Sequence, residues 1–271
     1  MRQIYPFRSL ALRGTVLFVR TTHLHLLGSY CLRSALFTLI VLPCLLLTGC
    51  ITSMAPGSMD SIKPTSTAAR AGNVYLIRGW GGMFSWGIDE LAHQLETDGI
   101  SAHVFQHDQC DEMARTLVEK YRNVRNPEPL CIVAHSAGSD DALYIAGELK
   151  KAGIDVDLLI TLDNVDATIV PGNVKVCYNY WLPGTFGESN FLRGLPMEKQ
   201  AGSKGQVVNI NLAEDGSNLC EPNPSHVSLD KDLKLRPHIV EKVLAACPQR
   251  ATWAATHASP PANLAAGLNQ R

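Results

Sequence analysis

The sequence predicts an α/β domain: an open, doubly wound, mostly parallel sheet of about six strands with flanking helices. Two observations lead there. Short runs rich in Val, Ile and Leu recur along the chain with almost no polar interruption, as strands covered on both faces require. Between them lie stretches whose apolar residues repeat at helical spacing, and strand alternating with helix is the signature of a parallel sheet. In order, the strand candidates are "VYLIRG" (74–79), "AHVFQH" (102–107), "LCIVAH" (130–135), "VDLLIT" (156–161), "VKVCYNY" (174–180) and "QVVNINL" (206–212). Ile88, Leu91, Ala92 and Leu95 form the first helical stripe, which stops at Gly99, a residue suited to a helix C-terminus. Met113, Leu117, Val118 and Tyr121 form the second, and Ala142, Ile145, Ala146 and Leu149 the third, before Gly153. A last helix enters near Pro237, tolerable in a first turn, and carries Ile239, Val240, Val243 and Leu244. Residues 182–205 have no clean period and read as a long excursion over one edge. In such sheets ligands sit at the carboxyl ends of the strands.

The front of the chain has a different character. Residues 1–49 carry five arginines (Arg2, Arg8, Arg13, Arg20, Arg33), no acid, and the apolar run "ALFTLIVLPCLLL" from Ala35 to Leu47. A positive flank, an apolar segment of that length and then small residues describe an export signal, too short for a comfortable membrane span. The run ends Leu47-Thr48-Gly49-Cys50, which resembles the bacterial lipoprotein signal, the lipobox, at every position. That resemblance implies cleavage before Cys50, acyl chains on Cys50, and a lipid anchor in the bacterial cell envelope, at the periplasmic face of the outer membrane in a Gram-negative cell. The stretch before Ser29 fits no part of a compact signal and reads as an over-extended start or a long n-region. Ile51–Gly72, poor in apolar periodicity and rich in Ser, Thr, Pro, Ala and Gly, reads with Cys50 as a flexible tether (50–72); the domain is expected over 73–247 and a disordered tail over 248–271.

Without residues 1–49, nineteen basic and twenty-five acidic side chains remain, a net charge of −6. No basic cluster survives, which argues against nucleic acid as a partner and against anionic headgroups as a substitute for lipid. Five cysteines outside the signal and Cys50 (Cys110, Cys131, Cys177, Cys220, Cys247) are widely spaced without a CxxC pair, so they form neither a zinc site nor an obvious disulfide framework. Cys131 and Cys177 read as small core residues; a bridge in an oxidising compartment is expected to involve Cys220 or Cys247.

The chemistry centres on "VAHSAGSDDAL" (133–143). Ser136 lies between a strand and a helix, with Ala134 two residues before it and Gly138 two after. That is the strand-turn-helix setting of a nucleophile elbow, where small flanking residues let strand and helix pass closely. A serine hydroxyl needs a base within hydrogen-bond reach, and the base needs a third group to fix its tautomer. From about Asn73 to Cys247 the chain resembles the α/β-hydrolase family, whose order is serine, acid, histidine; alanine at 134 departs from the more usual glycine. The resemblance implies His226, in "NPSHVSL" before the last helix, as base, with His238 as fallback. His135 adjoins the serine but is expected to point away. For the acid it implies Asp163, in "LDNVD", which resembles the "LDP" acid of animal pancreatic-type lipases; Asp215 and Asp166 remain rivals. Asp140 and Asp141 read as favourable charges at a helix N-terminus.

The loop "RGWGGMFSWG" (78–87) resembles the "HG-x-G" oxyanion loop of lipases with arginine for histidine, which implies the backbone N–H groups of Trp80 and Ala137 as the oxyanion hole. It lacks GxGxxG, against a dinucleotide site. Met83, Phe84, Trp86, Trp181, Leu182, Phe186, Phe191 and Leu192 read equally as an acyl groove or as packing. No metal-ligand spacing occurs, so neither metal nor cofactor is expected. The sequence therefore points to a lipid-anchored serine ester or thioester hydrolase acting on an acyl substrate; the alternative is a non-catalytic lipid- or partner-binding lipoprotein on the same scaffold.

Overall fold

A computed structural model describes residues 55–82, 85–184, 194–214 and 216–257. Six strands form one parallel sheet: β1 (Asn73–Ile77), β2 (Ser101–Phe105), β3 (Leu130–His135), β4 (Val156–Leu162), β6 (Val174–Trp181) and β8 (Gln206–Asn211), in the order β2-β1-β3-β4-β6-β8. A two-stranded parallel pair, β5 (Ile169–Val170) with β7 (Glu198–Lys199), stands apart. Among the described residues five α-helices accompany them: α1 (Trp86–Thr97), α2 (Cys110–Tyr121), α3 (Ala137–Lys151), α4 (Leu235–Ala246) and α5 (Arg250–His257). Every expected strand is present within two residues of its expected ends, and the fold class is the one the sequence predicts.

The apolar strand runs follow from burial on both faces. In β3, Leu130, Ile132 and Ala134 pack with Leu117 of α2 and Ile145 and Leu149 of α3. The alternate residues Cys131 and Val133 pack with Leu91 and Leu95 of α1 and Val243 of α4. Each fully covered Val, Leu or Ile contributes roughly 1.5–3 kcal/mol of transfer free energy, so the central strands β1, β3 and β4 anchor the domain. The strand order also fixes where a site can form. The chain moves from β1 outward to β2, then returns to β3 on the other side, so the sheet's switch point lies between the carboxyl ends of β1 and β3. The loop after β1 and Ser136 both sit there.

The domain is longer at both ends than the expected 73–247. In the stretch expected as a tether, Ile62 is fully buried in the core beneath Tyr75 and Phe105, and the Tyr121 hydroxyl donates to the Lys63 carbonyl at 2.9 Å. In the stretch expected as a disordered tail, Arg250 opens α5. Its guanidinium bonds the Ala68 carbonyl (2.7 Å), the Ser66 hydroxyl (3.0 Å) and the Glu128 carboxylate (2.6 Å). Arg70 reciprocates onto the Leu244 and Cys247 carbonyls, each at 2.7 Å. One buried isoleucine and two arginines that satisfy backbone carbonyls organise both termini, and neither device leaves a hydropathy period to read. Residues 1–54, which include the expected signal and Cys50, and residues 258–271 lie outside the described residues. All five cysteines of the domain are free thiols; the Cys131 and Cys247 sulfurs lie 3.8 Å apart.

Candidate active site

Ser136 follows the last residue of β3 and precedes the first of α3, with φ 57° and ψ −131°. A side-chain-bearing residue at positive φ is strained by roughly 1–3 kcal/mol, so the surroundings must hold it there. They do: its N–H donates to the Leu162 carbonyl at 2.8 Å, at the end of the neighbouring strand. Gly138 lets α3 start against β1, since a Cβ there would lie 2.6 Å from the Arg78 carbonyl oxygen and 2.8 Å from that of Ile77. Gly79, on the loop after β1, passes so close that its Cβ would lie 2.9 Å from that of Ser136. The glycines on both elements serve approach, as the elbow geometry requires.

The three separated residues Ser136, His226 and Asp163 form one hydrogen-bonded chain. Ser136 Oγ lies 2.7 Å from His226 Nε2, and His226 Nδ1 lies 2.8 Å from Asp163 Oδ2. Asp163 is fully buried and His226 is 3% exposed, whereas Ser136 is half-buried and reachable. Asp163 also sits at positive φ, 56°, immediately after β4, its N–H donating to the Tyr180 carbonyl at 2.8 Å. Its second oxygen, Oδ1, accepts the Leu182 N–H at 2.7 Å. That bond leaves Oδ2 for the imidazole, so the carboxylate favours the proton on His226 Nδ1 and leaves Nε2 as an acceptor facing the Ser136 hydroxyl.

The rivals are elsewhere. Asp166 is exposed, on the turn after Asp163, and His238 bonds the Tyr180 hydroxyl at 3.0 Å; Asp215 lies outside the described residues. Asp140 does more than complement a helix dipole. Its carboxylate accepts the N–H groups of Val165 (3.3 Å), Asp166 (3.1 Å) and Ala167 (2.8 Å), so the first turn of α3 holds the turn that follows Asp163. Asp141 instead pairs with His107 at 2.6 Å. The loop carrying His226 is fastened to α1, where Asp230 Oδ2 accepts the Gly87 N–H at 2.8 Å.

The loop after β1 is pinned by Arg78, buried and forked onto Asp89 of α1, with a further bond to the Ala55 carbonyl at 3.2 Å. Neither the Trp80 N–H nor the Ala137 N–H has a hydrogen-bond acceptor among the described residues. The Trp80 side chain is 74% exposed beside a hollow of about 540 Å³ lined by Pro56, Trp80, Gly81, Gln106, His107 and Asp108. Of the residues that read equally as groove or packing, Trp86 is 55% exposed and Leu182 belongs to the core. Met83, Phe84, Phe186, Phe191 and Leu192 lie outside the described residues. The larger hollow, about 670 Å³ between the outer faces of α2 and α3, touches none of Ser136, His226 and Asp163.

Comparison with solved structures gives likenesses that include two thioesterase domains. The NocB thioesterase domain from the nocardicin cluster is 16% identical, over 65% of this chain and 95% of that one, with a TM-score of 0.43. The Vlm2 thioesterase domain, solved with a bound dodecadepsipeptide, is 12% identical, over 66% of this chain and 97% of that one, with a TM-score of 0.38. No protein-family model and no curated protein matches the chain.

Sequence reasoning missed His135, which does not simply point away. Its ring lies fully buried behind Ser136, between Ser85 and His226. Burial pushes its pKa down from 6.5 to about 4, with the neighbouring His226 acting in the same direction. The folded protein therefore keeps His135 neutral at a pH where the unfolded chain protonates it. Stability from this source is complete above about pH 6.5 and is lost progressively as pH falls toward 4, a span worth about 3 kcal/mol. Urea unfolding at neutral pH and at the lower end of that window should show the wild type losing about that much more stability than His135→Leu, which has no such group to titrate.

Proposed function

We propose that this chain is a serine hydrolase that cleaves a carboxylic ester or thioester through an acyl-enzyme on Ser136, held at a membrane by lipid on Cys50. The observation that carries the catalytic part is the unbroken chain from Ser136 Oγ through His226 to the buried Asp163. His226 Nε2 takes the hydroxyl proton as Oγ attacks the acyl carbonyl carbon, and Asp163 orients the imidazole and stabilises its charge. The same nitrogen gives the proton to the departing alkoxide or thiolate. Water then enters and loses a proton to His226 as its oxygen attacks the acyl carbon; His226 returns that proton to Ser136 Oγ as the carboxylic acid leaves.

The N–H groups of Trp80 and Ala137 hold the oxyanion. Ala137 is the first residue of α3, where a helix has no internal acceptor for its N–H, and the close passage of Gly79 by Ser136 brings the loop of Trp80 alongside. Each donor of this kind lowers the barrier by roughly 3–4 kcal/mol. The exposed Trp80 ring supports an apolar contact for the acyl or leaving group at the mouth of the site. The lipid anchor is supported by the Leu47-Thr48-Gly49-Cys50 sequence alone. Hydrolysis of p-nitrophenyl esters of several chain lengths by the domain, together with labelling by a fluorophosphonate, tests the enzyme reading. Release of p-nitrophenolate is the expected result; no turnover on any chain length and no labelling contradicts it.

A further inference from the structure

A second histidine lies behind the first, and its hydrogen bonds run in one direction. His135 Nε2 lies 2.8 Å from the His226 backbone oxygen, which can only accept, so Nε2 carries the proton. In the neutral ring Nδ1 is then a bare acceptor, and it lies 2.9 Å from Ser85 Oγ, which donates its hydroxyl proton there. Ser85 Oγ in turn accepts the Gly79 N–H at 3.0 Å. The result is a buried relay from the loop after β1 to the backbone of the catalytic loop: Gly79 N–H to Ser85, Ser85 to His135, His135 to His226. Its two ends are the neighbour of Trp80 and the residue that carries the general base. The His135 and His226 rings are 5.3 Å apart between centroids, so the first supports the second from behind without touching the reacting atoms.

We propose that His135 is a positioning residue that, through Ser85 and the His226 carbonyl, holds the oxyanion loop and the general base in register with Ser136. This rests on the hydrolase reading above. The need for it is physical. His226 sits on a loop rather than on a strand or helix, and its ring must stay aimed at Oγ while its charge and proton change. Displacement of a catalytic group by about 1 Å is enough to cost on the order of 100-fold in rate. Removing the imidazole leaves a buried carbonyl without a donor and a buried hydroxyl without an acceptor, and both loops shift to recover partners. Keeping the ring neutral also matters, because a second positive charge behind His226 would oppose its protonation in the transition state.

The test uses three variants. His135→Leu removes both halves of the relay, His135→Gln keeps a side-chain N–H for the His226 carbonyl, and Ser85→Ala breaks the other half should the Leu variant fail to fold. Expected is a fall in kcat of about 10- to 100-fold for His135→Leu with KM within about twofold, substantial recovery in His135→Gln, and a smaller fall in Ser85→Ala. The downfield proton resonance of His226 Nδ1–H against Asp163 should be sharp in the wild type and broadened by exchange in His135→Leu. A folded His135→Leu with wild-type kcat and a sharp resonance overturns the proposal. So does a loss of kcat that is the same in the Gln and Leu variants. A wild type with no turnover and no fluorophosphonate labelling instead overturns the hydrolase reading on which the positioning role depends, and the resonance separates the two failures by reporting the His226 geometry without substrate.

Discussion

Ser136→Ala should lower ester turnover by about 10⁴-fold or more, to the level left by oxyanion donors and binding alone, with circular dichroism and melting temperature almost unchanged. Alanine keeps the Cβ and so keeps the strain of φ 57° at this position; only the nucleophile goes. Ser136→Gly separates chemistry from stability further. Glycine adopts positive φ without the Cβ penalty, so that variant should be equally inactive yet more stable by about 1 kcal/mol. A strained backbone position that glycine would relax, yet that carries serine, is consistent with a use for the hydroxyl. Initial rates on a short p-nitrophenyl ester, set against urea unfolding of the same preparations, read both effects.

Asp163→Asn should lower kcat by about 10⁴-fold while the fold persists, by imposing the wrong histidine tautomer. The Leu182 N–H decides how the new amide sits. Because that N–H requires an acceptor, the amide oxygen must take the Oδ1 place, which turns the amide nitrogen toward His226. His226 Nδ1 must then accept, Nε2 carries the proton, and Nε2 has no lone pair for the Ser136 hydroxyl. The size of the loss distinguishes this from ordinary destabilisation, since removing one side of a buried pair without changing its shape leaves circular dichroism intact. Kinetics of Asp163→Asn over a range of mildly alkaline pH check it.

Much of this site was legible in the sequence because its parts are local. The strand "LCIVAH", the small residues Ala134 and Gly138, and a helical stripe after Ser136 together specify a sharp turn with a reachable hydroxyl. Asp163 was legible as a carboxylate at the end of a buried strand, and His226 as a histidine in the loop before the last helix. What was not legible depends on partners far apart in the chain. His135 takes its role from Ser85, fifty residues away, and from a backbone carbonyl ninety-one away. Asp140 looked like a helix-dipole residue, because the N–H groups it satisfies belong to a turn twenty-five residues on. The termini were read as loose for the same reason. Hydropathy registers side chains that avoid water, and Arg70 and Arg250 order those segments through backbone oxygens.

Turnover through an acyl-enzyme requires that Ser136 becomes covalently acylated. Mixing the domain with excess p-nitrophenyl ester, quenching in acid within the first turnovers and mapping the digest by mass spectrometry tests this directly. One acyl group is expected on the peptide containing Ser136, absent from Ser136→Ala and removed from the wild type by continued incubation at mildly alkaline pH. Ester hydrolysis that proceeds with no acyl group on Ser136 at any quench time, or acylation confined to another residue, would contradict it.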